Sequence, residues 1–308
     1  MASMSGALPD AALAALRRWF DDTARTLPWR TDPEPWAVLV SEVMLQQTPV
    51  ARVVPAFEAW IARWPRPADL AADTPAEAIR MWGRLGYPRR ALRLHAAAVM
   101  VVDRFGGQVP SDVASLRALP GVGEYTAAAV ASFAFGQRHA VLDTNVRRVH
   151  ARWLDASEWP LSLGVTSAER QRALDLLPRS PEDAARTSIA VMELGALVCT
   201  SRSPRCDECP IGSWCAWRAA GSPRSNTPPR RAQPYQGTDR RCRGRLLAVL
   251  RGAMGPVPSS ALDVTWIDAD QRSRALDSLV ADGLVIRVAE GTFALPDAPA
   301  GSGAEGTR

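Results

Sequence analysis

Four of the five cysteines in this 308-residue chain fall in one short stretch, Cys199, Cys206, Cys209 and Cys215, spaced C-x6-C-x2-C-x5-C. The thiolate is the form of cysteine that ligates metal, and four on one compact loop can converge on a single centre. Spacing alone leaves three outcomes open. An iron–sulfur cluster takes four thiolates from such a loop, structural zinc usually takes two close pairs separated by a longer span, and inert buried cysteines need neither. The fifth, Cys242, lies outside the pattern and reads as an ordinary thiol.

Two carboxylates and a glycine turn are the other candidates. In "LPGVGEYTA", Leu119 to Ala127, Pro120 closes one helix, Gly121 and Gly123 flank Val122 with backbone freedom, and Tyr125 lies where the next helix opens. Such a turn aims backbone N–H groups at an anion. Twenty residues after Gly123, Asp143 stands at a predicted helix start in "VLDTNVRRVHAR", where an isolated aspartate reads as an N-cap. Glu42, in "WAVLVSEVMLQQTPV", falls opposite the apolar stripe of Trp36, Leu39, Val40, Val43 and Met44, with Gln46 one turn on. Taken alone, that is a solvated glutamate.

The elements that must position these residues are mainly helical. Helices are predicted over 11–26, 36–48, 50–64, 75–82, 91–105, 111–118, 124–135, 144–153 and 182–199, with Pro and Gly punctuation and few alternating runs before residue 220. Residues 1–10 and 297–308 read as disordered and 11–220 as one helical domain. The string "GSPRSNTPPRRAQPYQ", 221–236, loses apolar periodicity and reads as a linker. Residues 237–296 show two helices and two short strands turning at Glu290 and Gly291, a small winged-helix-like α/β unit.

Composition sets the class. At 47% hydrophobic the chain can bury a sizeable core, and its net charge of +5, carried almost wholly by arginine, suits a polyanionic partner without proving one. No secretory signal or membrane-length apolar run is read, so the cytoplasm is expected and cysteines there point to metal rather than disulfides.

Taken together, the motifs resemble the helix–hairpin–helix superfamily of endonuclease III and the adenine DNA glycosylases. The cysteine spacing after "AVMELGALVC" resembles its [4Fe–4S] loop, "LPGVGEYTA" its phosphate-gripping hairpin, and "LPWR" with "SEVMLQQT" the N-terminal signature of adenine DNA glycosylases. The resemblance covers about residues 14–218. It implies a fold of two helical lobes with a DNA cleft and an iron–sulfur loop.

The resemblance also implies roles. Asp143 becomes the essential carboxylate beside Asn145, and Glu42 the acid that protonates adenine, its own pKa raised by burial and a like charge. Tyr125 occupies the position where bifunctional relatives carry a Schiff-base lysine, which implies base excision without an obligatory lyase step. Trp29, Arg30 and Leu45 match residues lining the adenine pocket. Gln47 and Tyr87 match residues that wedge into the duplex near the opposite purine, with Leu85 nearby, and Gly121, Val122 and Gly123 form the phosphate hairpin. The chain departs from the family where a second tyrosine is replaced by Pro88 and a polar adenine contact by Ile189.

The implied activity is hydrolysis of the N-glycosidic bond of adenine opposite 8-oxoguanine or guanine in double-stranded DNA, by a monomer associated with the nucleoid. A thymine or uracil mismatch glycosylase of the same superfamily is the alternative, and an iron–sulfur DNA-binding regulator is a third reading of another class. The 60 or so residues after the linker are too few for the nudix-like domain that reads 8-oxoguanine in many family members.

Overall fold

The computed structural model describes residues 10–225 and 236–297. Residues 298–308 of the expected disordered tail, most of the expected disordered N-terminus, and residues 226–235 of the expected linker lie outside them. In chain order the helices are α1 (Asp10–Thr23), α2 (Pro28–Thr31), α3 (Pro35–Leu45), α4 (Val50–Arg63), α5 (Pro67–Ala71), α6 (Pro75–Trp82), α7 (Arg89–Phe105) and α8 (Val113–Ala118). They continue with α9 (Glu124–Phe133), α10 (Thr144–Asp155), α11 (Ser167–Leu176), α12 (Pro181–Leu197), α13 (Ala216–Ala219), α14 (Asp239–Gly252), α15 (Ser259–Asp263) and α16 (Ala269–Ala281). Two short 3-10 turns in the cysteine loop, Cys206–Glu208 and Gly212–Trp214, and three strands, β1 (Val257–Pro258), β2 (Ile286–Ala289) and β3 (Thr292–Ala294), complete the described elements.

The chain divides into two compact units. The first comprises Met1–Val38, Ser111–Arg117 and Gly123–Pro229. Its core joins α1, α10 and α12 through Leu16, Val146, Val149, Trp153, Ala190, Val191 and Leu194, and Ile211 of the cysteine loop packs into the same cluster. Local signals start its helices: Ser180 accepts from the Asp183 N–H with Pro181 in the first turn, and Thr166 forms a capping box with Glu169. Helix α11 escaped the sequence reading because it buries only Ala173 and so lacks an apolar stripe.

The second unit comprises Leu39–Pro110, Ala118–Val122 and Arg230–Arg308. In its helical part Trp60 packs edge-on against Trp64 and Trp82, with centroids 4.6 and 5.7 Å apart. Its last residues form an antiparallel sheet of order β1-β3-β2 beside α14, α15 and α16, a winged-helix order. The expected turn at Glu290 and Gly291 joins β2 to β3; β1 was not anticipated, because two residues are too few to show alternation.

These last residues are not a separate body. Cys242, Leu246, Leu247, Leu250, Leu279 and Phe293 share one apolar cluster with Ala76 and Ile79 of α6, and Leu92 of α7 packs against it. The Arg80 guanidinium donates to the Ala253 carbonyl at 2.7 Å, and Arg89 pairs with Asp282 at 3.2 Å. The sequence boundary at 221–236 marks a change of composition, whereas compactness follows the shared core. Cys242 is fully buried there, as an ordinary thiol would be.

Candidate functional site

The first unit holds Trp29, Arg30, Gly123, Tyr125, Asp143, Asn145 and the four loop cysteines; the second holds Glu42, Leu45, Gln47, Leu85, Tyr87, Gly121 and Val122. Asp143 is the N-cap of α10, but that role occupies only one of its oxygens. Oδ1 accepts from the Val146 N–H at 2.6 Å, and Oδ2 accepts from Asn145 Nδ2 at 2.9 Å. Burial raises the Asp143 carboxyl above its ordinary range, opposed by these hydrogen bonds and by the charge of Arg148. A carboxylate fixed at both oxygens in a poorly solvated place is suited to face a developing positive charge.

The chain of hydrogen bonds runs on. Arg148 Nη2 donates to Asn145 Oδ1 at 2.8 Å and to the Gly195 carbonyl at 2.7 Å, while its Nε donates to the Cys199 carbonyl at 2.9 Å. Gly195 is required here by closeness: a Cβ on it would lie 2.8 Å from Asn145 Cβ. The D-x-N spacing exposed the first link in sequence, but Arg148 was missed, because an arginine on a basic helix looks solvated until its partners are known.

Around the cysteine loop, Arg152 is almost fully buried and donates to Thr200 O at 2.7 Å, to Ser201 O at 3.2 Å and to Cys199 Sγ at 3.4 Å. Arg218 donates to Cys206 O at 2.6 Å. Cys199, Cys206, Cys209 and Cys215 line one pocket with Arg152, Arg205 and Arg218. Among the described residues no three or more His, Cys, Asp or Glu side chains are placed to hold a single metal ion, as zinc would need. Four thiols on one loop with Arg152, Arg205 and Arg218 around them suit an anionic cluster. Burial pushes the Cys209 thiol up to about 12 and raises Cys206 and Cys215, so these sulfurs become thiolates only when a bound group displaces their protons. Within the loop, Arg205 pairs with Glu208 at 2.7 Å and donates to Leu197 O, and Arg202 is exposed.

Glu193 is a second residue that sequence reasoning missed. It is fully buried and accepts from Arg25 Nε and Nη2, each at 2.7 Å, from the Arg25 N–H at 3.0 Å and from Arg30 Nη2 at 2.9 Å. Burial alone would raise its carboxyl, but the Arg25 and Arg30 hydrogen bonds and charges outweigh it and hold it at about 2. Arg30, expected at the adenine pocket, is thus committed to a buried ion pair beside the buried Trp29.

In the second unit Glu42 is buried, only 5% exposed. The expected solvated side of α3 does not exist: Ser41, Glu42, Val43 and Met44 are all buried, so the helix is covered all round. The expected helix to residue 48 stops at Leu45, because Gln47 takes a left-handed φ of 55°. Tyr87, the other expected wedge residue, also has positive φ, 46°. One buried arginine holds both loops. Arg90 Nη1 donates to the carbonyls of Val43, Met44 and Gln46, and Nη2 to Thr48 Oγ1 at 2.9 Å and Gly86 O at 3.1 Å. Burial lowers its pKa to about 10, partly offset by Tyr87, so it stays charged at neutrality. Pro88, the departure from the family pattern, is the N-cap of α7 at φ −62°. At the hairpin the Val122 N–H donates to Leu119 O, and Gly121 has φ +82° with a would-be Cβ 2.8 Å from Arg93 Cβ, so only glycine fits.

Tyr125 is half-buried against Ala128, Ala129, Val141 and Met192. All 37 basic residues of the sequence are arginines, so there is no lysine ε-amine anywhere in it to form a Schiff base.

Residues 40–172 match the HhH-GPD superfamily of base excision DNA repair proteins, and residues 199–215 the iron–sulfur binding domain of endonuclease III. The adenine DNA glycosylase of Mycobacterium tuberculosis is 53% identical over 285 residues, covering 91% of this chain and 92% of that protein. The chain belongs to the adenine DNA glycosylase family. The human adenine DNA glycosylase is 42% identical over 214 residues, 66% of this chain and 39% of that protein. A thymine/uracil-DNA glycosylase of Pyrobaculum aerophilum is 34% identical over 210 residues, 65% of this chain and 87% of that protein. In fold, a solved thermostable thymine-DNA glycosylase aligns at TM-score 0.62 and 26% identity, covering 68% of this chain and 95% of that one. This glycosylase-family chain has an iron–sulfur domain of the endonuclease III type, which holds a [4Fe–4S] cluster. None of its described helices is long and apolar enough to cross a membrane.

Proposed function

We propose that this chain hydrolyses the N-glycosidic bond of adenine paired with 8-oxoguanine or guanine in duplex DNA, as a monomer at the bacterial nucleoid. The observation that carries this reading is the 53% identity to an adenine DNA glycosylase over nearly the whole of both chains, against 34% over two thirds of this one for the thymine/uracil enzyme.

In this reading adenine is flipped out of the stack, since its glycosidic bond is inaccessible within the duplex. Glu42, buried on α3, gives its proton to N7, so that adenine leaves neutral as the bond to C1′ breaks. Asp143, held by Val146 and Asn145, stabilises the oxocarbenium-like sugar until water adds to C1′ and yields a proton to solvent. Trp29, Arg30 and Leu45 match the family's base-pocket residues, Arg30 being held by its pair with Glu193, and Tyr125 stands at the lysine position of the bifunctional relatives. Gly121 and Gly123, on either side of Val122, whose own N–H closes the turn on Leu119, present N–H groups to a phosphate, and Gln47 and Tyr87, with Leu85 nearby in sequence, wedge beside the opposite purine. Cys199, Cys206, Cys209 and Cys215 would hold the cluster, whose binding would fix the loop's surface.

The test is a single-turnover assay on duplexes with A, T or U opposite G or 8-oxoguanine, with alkali added separately and borohydride in a parallel reaction. Adenine release, strand cleavage only after alkali, and negligible trapped adduct are expected. Preferential release of T or U would transfer the chain to the other glycosylase class.

A further inference from the structure

The C-terminal residues have a place beside the wedge loop 83–88. Helix α14 lies along α6, sharing the apolar cluster of Ala76, Ile79, Leu246 and Leu250. At its N-terminal end the Arg240 guanidinium carbon sits 5.0 Å from the centre of the Tyr87 ring, and Arg90 approaches the same ring at 5.6 Å. Just past its C-terminal end Ala253 takes the hydrogen bond from Arg80, in the helix that leads into the loop. Asp282 of the same segment pairs with Arg89, two residues past Tyr87. The loop is therefore tied to the C-terminal segment on both sides.

Tyr87 needs such bracing. It is 46% exposed and holds a left-handed φ, which is unfavourable for an aromatic residue without external support. Arg90 fixes the loop's backbone at Gly86, and a cation over the ring is what orients the side chain.

Resting on the reading of Tyr87 as the wedge, we infer that Arg240 is a positioning residue for opposite-base discrimination. It holds the Tyr87 ring in place, so that the C-terminal segment takes part in choosing between 8-oxoguanine and guanine. The same guanidinium leaves the ring its exposed edge for the purine.

The experiment compares Arg240→Ala, Arg240→Lys, Tyr87→Leu, the double variant Arg240→Ala/Tyr87→Leu, and Arg245→Ala, which removes an exposed charge from the same helix. Each full-length protein is assayed in single turnover on A opposite 8-oxoguanine and A opposite G, with the thermal midpoint as a folding control. Arg240→Ala is expected to lower the ratio of the two rates about two- to five-fold, the range of one exposed cation–π contact. Arg240→Lys should recover most of it, Arg245→Ala should leave it unchanged, and Arg240→Ala should add nothing to Tyr87→Leu. Equal effects of the Arg240 and Arg245 alanine variants, or additivity with Tyr87→Leu, would overturn the inference alone. An unchanged ratio in Tyr87→Leu itself would overturn the wedge assignment and the inference together.

Discussion

Two regions of this chain solve the same problem, holding a functional side chain rigid, in opposite ways. Around Asp143 the support is local: the carboxylate, Asn145 and Val146 lie within four residues, and Arg148, one turn on, carries the network to Gly195 and Cys199. Around Gln47 and Tyr87 the support is distant. Two strained loops about forty residues apart in sequence meet on Arg90, with Arg240 reaching the ring from the far end of the chain. A locally built site can be recognised from its spacing, whereas a site built by one long side chain has no motif.

The comparison is broken most severely at the chemistry. Asp143→Asn keeps the volume and the cap but removes the charge, so single-turnover adenine release should fall by about 10² to 10⁴-fold with duplex affinity retained. The wild-type rate should also fall as pH drops through the raised Asp143 pKa, since the protonated acid loses the same charge. A normal rate in the variant would remove Asp143 from the mechanism.

Arg90→Ala tests the distant support. It strips donors from buried carbonyls in two loops and should cost about 3–5 kcal/mol in denaturant unfolding. Arg90→Lys should recover little, because a point charge cannot reproduce the planar fork. If the alanine variant unfolds like wild type, the loops are held by something other than Arg90.

Glu193 sharpens the comparison by placing long-range support in the first unit as well. Its folded value of about 2 lies below the ordinary 4.5, so its contribution, roughly 3 kcal/mol, is complete above the unfolded value and disappears as pH falls toward 2. The stability gap between wild type and Glu193→Gln should therefore be flat from neutrality to about pH 5 and close below it. A gap that persists at pH 2 would show that shape, not charge, is what the pair supplies.

The smallest effect expected is that of Gly195→Ala. The added methyl presses on Asn145, and about 1–3 kcal/mol of overpacking should be accompanied by slower adenine release at unchanged affinity. Loss of stability with an unaltered rate would mean that the Asn145 link does not reach the reacting carboxylate.

What was legible in the sequence follows this division. The longer helices of the first unit other than α11 announced themselves through caps and apolar faces, and the cysteine spacing and the D-x-N motif survive as one-dimensional patterns. Glu42 was legible only through a motif. Its helix carries apolar residues on nearly every side, so periodicity could not say that the glutamate is buried.

The sequence by itself determined the chemistry available: two carboxylates, four thiols on one loop, a glycine hairpin and no lysine. Residue type and short spacing are covalent facts, independent of folding. Only the tertiary structure decided which of 37 identical arginines do structural work. Arg25, Arg90, Arg148 and Arg152 are distinguished from solvated neighbours by buried carbonyls and carboxylates brought to them from remote parts of the chain. The fate of the C-terminal segment was decided the same way. Its composition marks a boundary, but Leu246 and Ile79 exclude water together, and burial acts on surfaces in space, regardless of where along the chain they originate.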